Sequence, residues 1–382
     1  MPSPSRTAHR FLLTLAMAFW ATASGHAQQV QSITATNWMA TSHVLNRENY
    51  QKWAQDVAKA SGERLKIEVH SSGSLVPART TMQGVRDGVA AVGIVYPPYT
   101  PSEFPLNNVL NDLVFVSDDD MAAAFAYTEL NLKNAALQAE WRKNGGLFLG
   151  GYSTPVYNLL CSRKTIRDVN DAQGLKIRTA GGAQNAWIKA LGAIPVSVPS
   201  SDIYTGLERG SIDCTMSAPS NLGTSYRFWE VAKTVTRLPM GVVVGANYVF
   251  NTKDWKSYSD EQRRILIDTM AWGIARSQVG YHNEVEIALK GARERGLDMV
   301  EPSAALTEKL AQFKRDLAKN LPQRAMQERK VADPTALIQD YLSAEQKWKR
   351  LLQGIDRSSA QAVHKVLSDN LYQQIDPTSY GL

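Results

Sequence analysis

Arg178 is the residue whose setting most directly implies chemistry. It is the one arginine in the strand-like run 175–179 (LKIRT), where Lys176 is the other charge, just ahead of the paired glycines Gly181 and Gly182. A guanidinium presents a planar fork of donors that meets a carboxylate through two parallel, charge-assisted hydrogen bonds, a geometry lysine cannot match. Two partners fit this arginine: a carboxylate brought by a ligand, or an Asp or Glu of the chain itself. The other chemistry-bearing residues carry less. Asp118, Asp119 and Asp120 are consecutive, whereas a Ca²⁺ loop needs alternating ligands, a glycine and a distant glutamate. An acidic start to a helix over 121–143 accounts for them better, because carboxylates offset the unpaired amides of a helix N-terminus. Cys161 and Cys214, the only cysteines, lack CxxC spacing, so they are either one disulfide or two buried thiols. Neither GxSxG nor HExxH occurs. His282 is isolated, and lone histidines are usually structural.

The elements that must position Arg178 follow from periodicity. Apolar runs at 175–179, 195–198 and 212–216 read as strands, and 183–191 and 202–209 as helices, with Gly181, Gly182, Gly192 and Gly210 between them. A β-α-β-α-β unit of this kind builds a parallel sheet, and ligands of open α/β sheets gather beyond the carboxyl ends of the strands, where Arg178 falls. Upstream, a strand over 32–36 runs straight into Asn37 and Trp38. These are either ligand-facing or, respectively, a turn residue and a core residue. Tyr50, Trp53, Ala54, Val57 and Ala58 share one helical face, with Gly62 as the stop. A strand at 65–69, a helix over 77–87 and a strand over 90–95 follow. Tyr96-Pro97-Pro98-Tyr99 then leaves the last strand as a stiff aromatic loop that can hold Tyr96 at a cleft. Extended segments at 147–151 and 156–162 make a first crossing between lobes, and 242–250 a second. The segment ending in Phe228-Trp229-Glu230-Val231 is expected to be helical, as are 260–278 and nearly all of the chain after Asn283.

Residues 1–27 read as a secretory signal peptide: Arg6, His9 and Arg10, an apolar run over 11–23, and small residues before a cleavage near Ala27. That run is too short for a comfortable membrane span. The expected location is the periplasm. The formal net charge of +6 includes Arg6 and Arg10, so the mature excess is modest. Basic residues are interspersed with acids, with no stripe for a nucleic acid. A mild positive balance suits a protein that captures anions. At 382 residues, two lobes are expected rather than one core.

The order and wording of ATNW, RLKIEVHSSGSL, VRDGVAAVG, GLKIRTAGG, LGAIPVSVPSSDIYTGLERGSID and YRFWEVAKTVT resemble the solute-binding proteins of tripartite ATP-independent periplasmic (TRAP) transporters, dicarboxylate-transporter type. The likeness covers the mature chain. It implies an α/β, two-lobed periplasmic binding protein fold with crossing strands and a long helix spanning both lobes. Lobe I would comprise 28–150 with 243–280. Lobe II would comprise 151–242 with 281–382, including the C-terminal helices. By the same resemblance Arg178 grips the ligand carboxylate, and the captured solute passes to the small and large membrane subunits of a sodium-coupled importer.

The chain departs from the family pattern in two places. Where relatives carry VDGxEN, it has Ile212-Asp213-Cys214-Thr215-Met216-Ser217, so Ser217 replaces a ligand-side amide. Where many place a second arginine, it has Tyr157. A missing second cation weakens the case for a dicarboxylate and favours a monocarboxylate whose other end meets Tyr96, Tyr152, Tyr157 or Trp38. The candidate ligand-binding set is therefore Arg178, Asn37, Trp38, Tyr96, Tyr152, Tyr157, Ser217 and Asn221. No catalytic residue, metal or cofactor is expected. A secreted hydrolase is the rival of a different class, and a ligand sensor is a variant of the binding reading. A monomer is the default, with the helical tail as the surface for any dimer.

Overall fold

The computed structural model describes residues 30–382, so the expected leader and its cleavage near Ala27 lie outside the described residues. Eleven strands form two sheets: β1 Gln31–Thr36, β2 Leu65–His70, β3 Val92–Val95, β4 Gly146–Ser153, β5 Asn158–Cys161, β6 Lys176–Thr179, β7 Ile194–Ser197, β8 Cys214–Ser217, β9 Thr234–Thr236, β10 Val244–Asn251 and β11 Asp298–Val300. The first sheet has the order β2-β1-β3-β10-β4 and the second β11-β9-β5-β8-β6-β7. The first three strands run parallel, β10 pairs antiparallel with β3, and β4 pairs antiparallel with β10. In the second sheet β6 lies parallel between β7 and β8, with Arg178 opposite Val196 and Thr215. Pro195 is tolerated because β7 is an edge strand, where its missing N–H breaks no ladder.

Twelve α-helices cover the sheets. In chain order they are α1 Lys52–Ala60, α2 Thr81–Arg86, α3 Pro105–Asn111, α4 Asp120–Lys133, α5 Ala135–Lys143, α6 Gly182–Ala190, α7 Ile203–Arg209, α8 Thr252–Ser257, α9 Asp260–Glu294, α10 Ala304–Arg324, α11 Thr335–Leu351 and α12 Ala360–Asn370. The helix expected over 121–143 is two helices. Asn134 sits in an extended conformation, and its side-chain oxygen accepts from the amides of Ala136 and Leu137, capping a new start. The acidic triplet does begin a helix: Asp119 is the N-cap and accepts from Ala122 at 3.0 Å. The segment ending at Val231 is not helical as expected but a pair of short 3₁₀ turns, Pro219–Leu222 and Phe228–Glu230. Arg227 between them is left-handed (φ 58°), which a continuing helix does not allow.

The long helix α9 has 35 residues, about 52 Å at 1.5 Å each. Its start is fixed by a Ser259–Gln262 capping box. Leu266, Ile267, Met270 and Ile274 enter the main core, which runs from the first sheet across to β6 and α6, whereas Ala288 and Ala292 enter a smaller cluster within the second lobe. One rod therefore belongs to both lobes. Close approach needs a glycine at 273, where a Cβ would run into the Asn49 amide. Gly241, at φ +87°, turns the chain into the β10 crossing, where a Cβ would fall on the Val114 carbonyl.

Of the C-terminal helices assigned from the sequence to lobe II, α11 and α12 pack instead on elements of the first sheet. Trp348 of α11 stacks edge-on to Phe125 of α4 at 5.3 Å and donates to Glu129 at 2.8 Å. His364 of α12 lies flat on Trp272 of α9 at 4.1 Å, and Tyr372 donates to the Leu149 carbonyl of β4. The apolar faces of α11 and α12 are covered there, which their sequence periodicity alone could not direct to one lobe or the other.

Candidate functional site

β6 ends at Thr179, and its parallel neighbours on both sides hold Arg178 in register with its side chain at the seam between the lobes. The residue is 1% exposed. Its Nε–H donates to the Val198 carbonyl at 3.0 Å and an Nη2–H to the Tyr99 hydroxyl at 3.3 Å. Among the described residues no carboxylate is paired with it: the neighbours that bear on its charge are the phenols of Tyr99, Tyr157, Tyr96 and Tyr226. Burial works against the guanidinium charge, and only a carbonyl and neutral phenols lie against it. A buried cation met only by neutral dipoles is costly. A carboxylate placed on it would offset that cost, whether it came from the chain or from a ligand.

The tyrosines come from distant segments. Tyr96 follows β3, and its hydroxyl donates to the Ala180 carbonyl at 2.9 Å, across the seam. Tyr99 packs against Tyr96 at 4.8 Å and Trp38 at 5.5 Å, and its hydroxyl accepts from the Ser200 amide at 2.9 Å. Tyr152 ends β4 and stacks on Tyr281 of α9 at 5.7 Å. Tyr157 stands on the first crossing, its backbone paired with Met240 and Gly241 on the second. Burial raises the pKa of Tyr96, Tyr152 and Tyr157, so these remain neutral phenols at physiological pH. Arg79 closes one side of the seam, donating to the Tyr99 carbonyl at 3.0 Å and the Ser197 carbonyl at 2.8 Å.

The expected set thus divides. Arg178, Tyr96, Tyr152 and Tyr157 converge, with Trp38 joined through Tyr99. Trp38 is also anchored by its indole N–H on the Ile94 carbonyl at 3.2 Å. Asn37 does not face the cluster; its oxygen accepts from Met39 and its amide lies against Asn46 and Ser71, which shapes the turn that carries Trp38. Ser217 and Asn221 pair with each other at 3.0 Å beyond the end of β8, and the Asn221 oxygen, buried, has no partner among the described residues. Tyr99, Tyr226, Tyr281 and His43 were not singled out from sequence. The only signal for Tyr99 was its place in the Tyr-Pro-Pro-Tyr loop; the others lie in segments without a motif. A cavity of about 460 Å³ lined by Asp118, Asp120, Val156, Arg237, His282 and Glu286 lies apart from this cluster. It gathers none of the convergent tyrosines.

Residues 35–324 match the family model of the bacterial extracellular solute-binding proteins, family 7. The chain belongs to that family. Over 321 residues it is 26% identical to the 2,3-diketo-L-gulonate-binding periplasmic protein YiaO of Escherichia coli K12, covering 82% of this chain and 94% of that protein. A solute-binding protein of Albidiferax ferrireducens is 24% identical over 186 residues, 49% of this chain, and the match spans only about half (54%) of that relative's length. The fold is that of a TRAP solute-binding protein from Rhodoferax ferrireducens T118 in complex with copurified benzoate. The TM-score is 0.73 at 19% identity, over 84% of this chain and 99% of that one. By its family the chain is a solute-binding protein and not an enzyme, which removes the hydrolase expectation. The match stops at Arg324, so α11 and α12 lie beyond it.

Proposed function

We propose that the protein captures a small organic monocarboxylate between its lobes, with Arg178 as the carboxylate clamp, and delivers it to the small and large membrane subunits of a sodium-coupled TRAP importer. The observation that carries this reading is a fully buried guanidinium with no acid beside it among the described residues, ringed by neutral phenols from both lobes. Trp38, Tyr96, Tyr152 and Tyr157 supply aromatic walls, Ser217 and Asn221 a polar margin, and Asn37 holds the Trp38 turn. Tyr157 in place of a second arginine leaves one cation for one carboxylate. Hydrogen bonds that span the seam, such as Tyr96 to Ala180, can form only when the lobes meet, so closure and capture become one event. The relatives named above bind a diketo sugar acid and benzoate, which fits a site for organic acids. Native purification followed by denaturation and mass spectrometry of the released small molecule tests the reading. A monocarboxylate is expected; a dicarboxylate or an uncharged solute would contradict it.

A further inference from the structure

We propose that His43 reads the end of the solute remote from Arg178, its Nε2–H donating to an uncharged oxygen, so that the preferred ligand is a planar monocarboxylate bearing a hydroxyl or carbonyl oxygen at its far end. This rests on the capture reading above and adds a second recognition point to it.

An unbroken path of contacts joins the two residues. The Arg178 guanidinium donates to the Tyr99 hydroxyl, which also accepts from the Ser200 amide. The Ser200 and Tyr226 hydroxyls are bonded at 2.7 Å. The Tyr226 ring lies 4.8 Å from the His43 ring, and Tyr281 meets the same imidazole edge-on at 6.0 Å. Tyr281 in turn stacks on Tyr152. His43 therefore belongs to the same aromatic cluster, one ring removed from Arg178 through Tyr226. Walls made of ring faces favour a flat solute.

The ring nitrogens are not equivalent. Nδ1 accepts from the Leu45 amide at 3.2 Å. With that nitrogen used as an acceptor, a neutral imidazole carries its proton on Nε2. His43 is 2% exposed, and burial first, then the Arg47 charge, lower its pKa to about 3. It is therefore a donor without a charge. The nearest cation, Arg47, is bonded to Glu48 and Glu284. A second carboxylate at this end would face a neutral donor and phenols, whereas a hydroxyl or carbonyl oxygen is matched by one N–H. The contact also depends on closure, because Tyr226 and Ser225 come from the second lobe and the Val44 amide donates to Ser225 at 3.3 Å.

The test is calorimetry with probe pairs that differ only at the far end: benzoate with 3-hydroxybenzoate, and cyclopentanecarboxylate with 3-oxocyclopentanecarboxylate. The wild type is expected to favour the oxygen-bearing member of at least one pair by about tenfold. His43→Phe should bind the plain member within about threefold of wild type and lose the preference. His43→Gln, which keeps an N–H donor, should retain part of it and guards against a folding defect in the Phe variant, with melting curves as the control. A wild-type preference that survives in His43→Phe, or no preference in the wild type, overturns the proposal. Failure of the capture reading looks different: Arg178→Met would bind every probe as the wild type does, or the wild type would bind none.

Discussion

Two arginines stand on the seam between the lobes, Arg178 buried and Arg329 partly so, and they are built differently. Arg329, just past α10, is bonded through Nε and Nη2 to Asp112 at 3.0 and 2.6 Å, and the other Asp112 oxygen accepts from the Ala183 amide at the start of α6. Arg178, a few residues before that helix, has a carbonyl and a phenol and no carboxylate among the described residues. Charge at one point of the seam is neutralised by the chain; at the other it is left for something else. Burial alone does not mark a ligand site. What would mark one is a buried charge with no counter-charge among the described residues, as at Arg178.

The same substitution at both positions tests that contrast with the largest expected effect. Arg329→Met strands Asp112 in the interior and should cost about 3–5 kcal/mol in denaturant unfolding. Arg178→Met removes a cation without stranding an anion, so the ligand-free protein should be as stable as the wild type or more so. Equal losses at both sites would break the comparison. The disulfide sharpens it next. Cys161 and Cys214 are bonded across the β5–β8 pair, closing a 53-residue separation and bracing the strand beside β6. Replacing both by alanine should cost about 2–4 kcal/mol while the Arg329–Asp112 pair, remote from it in the fold, keeps its contribution in a double-mutant cycle. The smallest effect concerns His43. Its folded pKa is depressed from 6.5 to about 3, so its contribution is fully present above pH 6.5 and is lost on acidification toward pH 3. Between pH 6.5 and 5.5 the wild type should lose about 1 kcal/mol more stability than His43→Asn. Parallel melting curves across that window would contradict the neutral imidazole.

Much of this architecture was legible. The strands around Arg178 follow from short apolar runs separated by glycines, and Asp119 as a helix cap from charge at a helix start. What escaped were convergences and continuations. Nothing in a linear pattern brings His43, Tyr99, Tyr226 and Tyr281 together, because each belongs to a different element and only the packed lobes make them neighbours. The helix beginning at Asp260 was expected over 260–278. It continues to Glu294 because it changes partners, passing from the main core to the smaller cluster of the second lobe. The break at Asn134 was missed because helix propensity continues on both sides and a single cap decides it. The cysteine pairing stayed open because it depends on strand register, which places Cys161 opposite Cys214. Asn37 shows the converse: a polar residue at a strand end that serves its own turn.

The central claim is that Arg178 waits for a carboxylate. Titration of wild type, Arg178→Lys and Arg178→Met with the acid recovered from the native protein measures this directly. Truncating one side of a buried charge pair costs about 2–5 kcal/mol, so Arg178→Met should bind at least about thirtyfold more weakly, with Arg178→Lys recovering only part of the loss. Wild-type affinity in Arg178→Met would contradict the account.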